Sequence, residues 1–316
     1  KQPTTDCFAQ AYQFTQFYAT PTFLNPAFAG AGACGRVTTL YRIQWPSVPG
    51  AFRTYLFAFD HGFPRKKSGI GFLFLNDKAG SGNLRSTSFN AQYSYQLVLS
   101  RQWIFNAGHE AGYATHNYDF NKYVFGDQIA YGTTTSVEQP EYEHHGYLDI
   151  SSGAVLYSEK TWFGFSARHL NQPNQALIYG ESRLPILFSI HTGWTIPVKH
   201  YGESGKTETY LKPAFNYRAS KKFDQFDIGL YYTYSEFVAG IWYRGIPIFK
   251  TYKPGYQNND ALAFLAGVTV DRFKFGYSYD ITISRLAGST GGSHEIAISY
   301  QLCKWTRKSA IPCPKF

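Results

Sequence analysis

Apolar and polar residues alternate with period two along most of the chain, from about residue 35 to residue 302. Near the end, Ile296, Ile298, Tyr300 and Leu302 alternate with Glu295, Ala297, Ser299 and Gln301. Before them, Phe273, Phe275, Tyr277, Tyr279, Ile281 and Ile283 alternate with Lys274, Gly276, Ser278, Asp280 and Thr282. Leu211, Pro213, Phe215 and Tyr217 are interleaved with Lys212, Ala214, Asn216 and Arg218. Earlier still, Phe89, Ala91, Tyr93, Tyr95 and Leu97 are interleaved with Asn90, Gln92, Ser94 and Gln96. Successive side chains of a strand point to opposite faces, so this pattern predicts strands with one apolar and one polar face. About fourteen segments carry it, over approximately 35–45, 51–61, 67–76, 85–98, 101–114, 146–157, 160–169, 183–197, 206–218, 223–234, 236–245, 259–270, 272–284 and 291–302. Many approach the roughly 9–11 residues that a tilted strand needs to cross a bilayer.

The connections form two classes. Those after even-numbered segments are tight, at Leu99-Ser100, Ser158-Glu159, Ser235 and Asp271. Several after odd-numbered segments are long, from Thr115 to His145, Leu170 to Ser182 and Gly245 to Asn258. The stretch Lys199 to Gly205 and a very short first connection break the rule. A soluble sandwich also alternates, but so many segments with two loop classes predict an all-β fold of another kind. Outer-membrane barrels have an even strand number, short periplasmic turns and longer outer loops. The expected architecture is therefore a transmembrane antiparallel β-barrel of about fourteen strands over 35–302. A segment over 1–34 would precede it and a tail over 303–316 would follow, with both chain ends periplasmic.

Composition agrees. Aromatic residues make up 19% of the chain and charged residues 16%, below the roughly 25% of soluble domains. The longest charge-free run, Phe8 to Gly35, has the length of a transmembrane helix. Gln10, Gln13, Gln16, Asn25 and two prolines, Pro21 and Pro26, argue against one. A closed barrel is the other structure that satisfies its backbone in lipid. The chain starts at Lys1 and has no methionine, which is what removal of a signal peptide would leave, as would any other N-terminal truncation. Four cysteines, Cys7, Cys34, Cys303 and Cys313, suit an oxidising compartment. Pairing Cys7 with Cys34 and Cys303 with Cys313 is plausible, although four cysteines allow three connectivities.

Arg36, Arg42, Arg168, Lys212, Arg218, Arg244 and Lys274 fall on the polar faces, with Glu110, Asp227, Asp280 and Glu295. In a barrel these side chains point into the lumen. They form either a charged channel or an ion-paired, hydrogen-bonded interior, which is what buried charge requires. The aromatic residues of Phe8 to Gly35 cannot stay in water without cost, so this segment is expected to fold into the lumen as a plug, with a periplasmic docking arm as the alternative. Asn25-Pro26 and Gly30 suit a turn that feeds the chain into the first strand. The net charge is +9. Arg65, Lys66 and Lys67, and Lys304, Arg307 and Lys308 in the tail, would lie on the periplasmic side, where they could steer an acidic partner. Basic residues are too dispersed for nucleic-acid binding. His144 and His145 stand near Glu138, Glu141 and Glu143, but neighbours in a strand point apart. No hydrolase motif, metal-ligand spacing or phosphate loop is present, so the expectation is a non-enzymatic protein without a cofactor.

Motifs at both ends add a resemblance. Phe8-Ala9-Gln10 through Gln16-Phe17-Tyr18, then Phe23-Leu24-Asn25-Pro26-Ala27-Phe28-Ala29-Gly30, resembles the start of the PorP/SprF family. So do Tyr41-Arg42-Ile43-Gln44-Trp45, Ser68-Gly69-Ile70-Gly71, Tyr93-Ser94-Tyr95, Phe275-Gly276-Tyr277-Ser278-Tyr279-Asp280 and Gly291-Gly292-Ser293-His294-Glu295-Ile296. The tail Ile311-Pro312-Cys313-Pro314-Lys315-Phe316 also looks like family endings. An acidic-Pro pair often opens the family motif, whereas Cys7 and Phe8 stand there in this chain. The resemblance implies an outer-membrane protein of type IX secretion and gliding motility in Bacteroidota. Its surroundings would be the lipid bilayer and lipopolysaccharide. Its partners would be periplasmic ring proteins, for an anchoring barrel, or secreted adhesins with C-terminal signals, for an escort. An adaptor of either kind favours the ion-paired interior over the channel, which stays as the alternative.

Overall fold

The computed structural model describes residues 12–32, 34–80, 84–117, 124–134, 136, 144–176, 181–198, 209–221, 223–253, 256–284 and 286–303. Its first strands are β1 (Arg36–Gln44), β2 (Phe52–Phe63), β3 (Ser68–Ala79), β4 (Leu84–Val98) and β5 (Ile104–Asn117). Then come β6 (His144–Tyr157), β7 (Thr161–Arg168), β8 (Leu187–Trp194), the short β9 (Ile196–Val198) and β10 (Thr209–Ser220). The last are β11 (Phe223–Tyr234), β12 (Phe237–Lys253), β13 (Tyr256–Val270), β14 (Phe273–Thr282) and β15 (Ser293–Gln301). Apart from β9, each pairs antiparallel with its neighbours along the chain, β10 bridges β8 to β11, and β15 returns to β1. The result is a closed ring of fourteen strands, with β9 outside it against β10. Among the described residues no helix is long and apolar enough to cross a membrane.

The two faces of the ring are inverted relative to a soluble domain. Outward positions carry Phe57, Phe72, Phe89, Phe163, Ile228, Phe264, Phe275 and Ile296, all exposed. Inward positions carry buried Thr38, Arg42, Gln92, Glu110, Asn216, Asp227, Ser278 and Glu295. An apolar belt around a polar interior is the arrangement that a bilayer selects.

All of the tight connections expected from the sequence lie at one end, the turn end, as does the short 3₁₀ turn Pro64–Lys66 with its basic residues. The opposite, loop end carries the long connection between β5 and β6, with helix α2 (Gly126–Tyr131), and the one between β7 and β8. The expected long loop from Gly245 to Asn258 is instead mostly strand. β12 and β13 stay paired through it, with register shifts after Arg244 and Ile246. Its β-branched and aromatic residues favour extended pairing, and the shifts absorb the glycine and proline that read as loop. The stretch Lys199 to Gly205 lies outside the described residues.

Residues 12–32 occupy the lumen. Phe14, Thr15, Gln16, Leu24, Asn25 and Phe28 are buried there, and the segment includes the single-turn helix α1 (Pro21–Leu24). Tyr12 bonds Ser86 near the loop end of β4. At the turn end the Gly30 amide donates to Asp60, 3.2 Å away, shortly before β1 begins. The segment therefore runs through the barrel from loop end to turn end. Tyr12 and Cys303, the first and last described residues of this stretch and of the barrel, lie at opposite ends of the ring; both chain ends, expected on one side, lie outside the described residues.

The cysteine pairing also differs from the pairing within each end. Cys34 is bonded to Cys303, with their Cα atoms 6.0 Å apart; Cys7 and Cys313 lie outside the described residues. The β1–β15 seam explains this, because Arg36 pairs with Gln301 and brings the two flanking cysteines together. The bond closes a loop across a sequence separation of 269 residues. Replacing both cysteines with Ser should cost about 2–5 kcal/mol through the freed unfolded chain. A urea unfolding midpoint in detergent that is unchanged by the replacement would count against this role.

Candidate functional site

The centre of the lumen is a network of charges closed by the inner segment. On β1, Arg42 reaches Asp280 of β14 at 2.8 Å and Glu295 of β15 at 3.0 Å. On β12, Arg244 reaches the same Asp280 at 3.2 Å and Asp227 of β11 at 3.1 Å. Arg218 of β10 completes the chain on Asp227 at 3.2 Å. Thr15 sits in the middle. Its hydroxyl donates to Asp280 at 2.7 Å and accepts from Arg42 at 2.9 Å. The Thr15 and Gln16 amides both donate to the Glu295 carboxylate, at 2.9 and 2.7 Å. Glu295 thus binds two backbone N–H groups and one guanidinium, which offsets the cost of placing a carboxylate where no water reaches it.

A second set of contacts holds the rest of the segment. The Asn25 side chain caps the short turn that follows it by accepting from the Ala27 amide at 2.9 Å. Its amide group donates to the carbonyls of Ala154 and Phe165, at 3.1 and 2.9 Å. Gln92 donates to the Thr22 carbonyl at 2.9 Å, Ser94 to Ala29 at 2.6 Å and Asn106 to Ala27 at 3.2 Å. Arg168 donates to the Phe23 carbonyl, and its guanidinium carbon lies 4.4 Å from the centre of the Phe23 ring. The barrel wall is shaped for this backbone. A Cβ at Gly69 would fall 2.2 Å from the Ala29 carbonyl, and one at Gly108 would fall 2.5 Å from the Ala27 amide nitrogen. Gly30, at φ +62, can turn here where other residues would be strained.

Apolar packing does the remainder. Phe17 meets Trp242 edge-on at 4.8 Å between ring centres, and Phe28 meets Trp162 at 5.9 Å. Phe14 packs with Leu40, Leu56, Leu73 and Leu75 of β1, β2 and β3. Above the segment, towards the loop end, a vestibule of about 710 Å³ remains, floored by Phe14, Phe23 and Leu24.

Sequence candidates divide accordingly. Arg42, Arg218, Arg244, Asp280 and Glu295 converge on one network, while Arg168 stands apart on Phe23. Lys212 lies on the lumen face opposite Tyr231 in the β10–β11 register. Arg65, Lys66 and Lys67 form an exposed turn at the turn end, and Lys304, Arg307 and Lys308 lie outside the described residues. His144 and His145 are in β6 and so point to opposite faces; His145 meets the Asn174 carbonyl at 2.9 Å. Glu138, Glu141 and Glu143 are outside the described residues. Among the described residues no three His, Cys, Asp or Glu side chains are grouped to hold a metal.

Comparison with known proteins identifies the family. The model described as "Type IX secretion system membrane protein PorP/SprF" matches residues 6–300. The chain belongs to the PorP/SprF family. This PorP/SprF protein is therefore a membrane β-barrel of type IX secretion, as its motifs implied. No curated protein sequence matches it. Among solved structures it is similar to the KdgM porin in complex with disordered oligogalacturonate, at 7% identity and TM-score 0.39, covering 85% of this chain and 99% of that one. It is similar to CdiB from Acinetobacter baumannii, at 8% identity and TM-score 0.49, covering 84% and 60%. A TodX monoaromatic hydrocarbon channel mutant matches at 10% identity and TM-score 0.45, covering 92% and 94%. Likenesses this distant carry no functional argument.

The contacts that sequence reasoning missed are those of the PorP/SprF inner segment: Gln13, Thr15 and Gln16, with Gln92, Asn106 and Gln225 on the wall. Gln13 donates to Gln225 at 2.7 Å, which in turn donates to Asp227 at 2.9 Å. The available signal was the polar load of a charge-free run, each of whose amides and hydroxyls needs a partner once buried.

Proposed function

We propose that this PorP/SprF barrel is a non-conducting adaptor of the type IX secretion machinery, acting by binding rather than by passing solute or by catalysis. One observation carries the proposal: the lumen is crossed by residues 12–32, held by hydrogen bonds to the buried ion-pair network of the wall rather than lying loose in the channel. Long loops mark the outer face of such barrels and short turns the periplasmic face. On that assignment the vestibule opens to the cell surface and the Arg65–Lys67 turn faces the periplasm. Of the two roles that the family implies, escort of a secreted adhesin is favoured by the outward vestibule. Anchoring of periplasmic components is the second reading, favoured by the basic turn, which could attract an acidic partner.

The test is a mild-detergent pull-down of the tagged chain from its native outer membrane, with mass spectrometry of what is co-purified. Recovery of one large secreted adhesin supports escort, and recovery of periplasmic ring proteins replaces it by the anchor. A barrel that comes out alone, under conditions that preserve other complexes, and that conducts ions in a planar bilayer overturns the adaptor in favour of the channel.

A further inference from the structure

The outward face of β4, β5 and β6 breaks the apolar belt at its mid-height. Along β5 the outward positions are Phe105, Ala107, His109, Ala111 and Tyr113, and along β6 they are Leu148, Ile150, Ser152, Ala154 and Leu156. The central residue of each run is polar. His109 and Ser152 stand opposite each other in the register, and the imidazole Nδ1 and the Ser152 hydroxyl are 2.8 Å apart. Alanines flank the pair along β5: Ala107 faces Ala154 of β6 on the turn side, and Ala111 faces Ala91 of β4 and Ile150 of β6 on the loop side, while Tyr93 of β4 stands opposite His109. Tyr93 and Tyr95 rise beside them from β4, both exposed. The result is a shallow notch with a polar floor, where neighbouring outward faces present Phe57, Phe72, Phe163 and Phe165.

Hydrocarbon cannot satisfy that floor. An imidazole has two ring nitrogens, and Ser152 engages one of them. The other faces lipid at the depth where an unmatched polar group is most costly. Small residues are what allow two backbones to approach closely within a membrane. The hydrogen-bonding pattern is self-complementary. With the Ser152 hydroxyl donating to Nδ1, His109 keeps a free Nε2–H donor and Ser152 keeps a free acceptor. Two-fold pairing offers each donor the other copy's acceptor, as an isologous contact requires. We propose that this face, centred on His109 and Ser152, is an in-membrane interface between two copies of the barrel.

Cysteine cross-linking in the native outer membrane tests it. Ala111→Cys places a thiol at the centre of the face, and Phe275→Cys places one on β14, across the ring. Oxidation should join two copies through Ala111→Cys and leave Phe275→Cys, like the unaltered chain, uncrosslinked. Heat-dependent migration on gels shows that each variant is folded. His109→Leu, added to Ala111→Cys, removes both symmetry-related hydrogen bonds and should weaken self-association by about tenfold. Ala154→Trp should fill the notch and abolish the cross-link. A folded Ala111→Cys barrel that stays monomeric, or that cross-links only to a different protein, overturns the proposal. This outcome is independent of the pull-down, since a barrel can pair with itself whichever secretion component it binds.

Discussion

A barrel lacking residues 12–32 will conduct ions in a planar bilayer where the intact chain does not. The argument begins with ring size. Eight strands give an interior that side chains can fill, whereas sixteen or more leave an aqueous channel. Fourteen strands lie between, so the wall alone cannot close the lumen and a further segment has to. Here that segment supplies Phe14, Phe17, Leu24 and Phe28 to the interior and occupies the space that Gly69 and Gly108 leave open. Deleting it leaves Arg42, Arg244, Asp280 and Glu295 lining a water-filled passage, which tolerates charge better than the dry network did. Discrete conductance steps from the deleted chain, with none from the intact chain, are the expected record. Heat-dependent gel migration would show that the ring itself still forms. A folded deletion variant that stays silent would mean that the loop end closes the barrel, and the inner segment would lose its role as the plug.

How much of this was legible in advance varied with what each face of a strand touches. On β14 and β15 one face meets lipid and the other meets charge, so Phe275 and Ile296 separate cleanly from Asp280 and Glu295, and the strands could be read residue by residue. On β2 and β3 the inward positions include Leu56, Leu73 and Leu75, because Phe14 packs against them. Both faces are then apolar and the alternation fades, although the strands are as regular as the others. The long β12–β13 hairpin was hidden by its glycine and proline, which a register shift accommodates. The candidate site was legible in its charges and not in their partners. Arg42 and Glu295 could be assigned to the lumen by parity, but nothing in the local pattern near Thr15 or Gln16 says that they bind residues 265 or more positions away. The polar load that excludes a transmembrane helix over Phe8 to Gly35 is the same feature that lets the segment bind the lumen. The cysteines show a similar limit: proximity in sequence favoured pairing within each end, while closure of the ring brings the two ends together.

Replacing Asp280 with Leu will destabilise the protein more than the loss of any single surface charge. Two guanidinium groups share this carboxylate, and Thr15 of the inner segment donates to it as well. Exposed ion pairs contribute at most about 1 kcal/mol. Breaking a buried pair by removing one partner costs about 3–5 kcal/mol, because the remaining charge is left without compensation. Arg42 keeps Glu295 and Arg244 keeps Asp227, which places the expectation towards the lower end of that range. Urea unfolding in detergent, followed by tryptophan fluorescence, would measure it. Adding Arg244→Met to Asp280→Leu should recover part of the loss, since the cation that lost one of its two carboxylates is then gone while Asp227 keeps Arg218. An equal or larger loss in the double variant would mean that Arg244 is held mainly by Asp227, and that Asp280 acts chiefly through Arg42 and Thr15. A midpoint unchanged by Asp280→Leu alone would mean that apolar packing around Phe17 and Phe28 is sufficient to keep the inner segment in place, and that the charges serve its position rather than its retention.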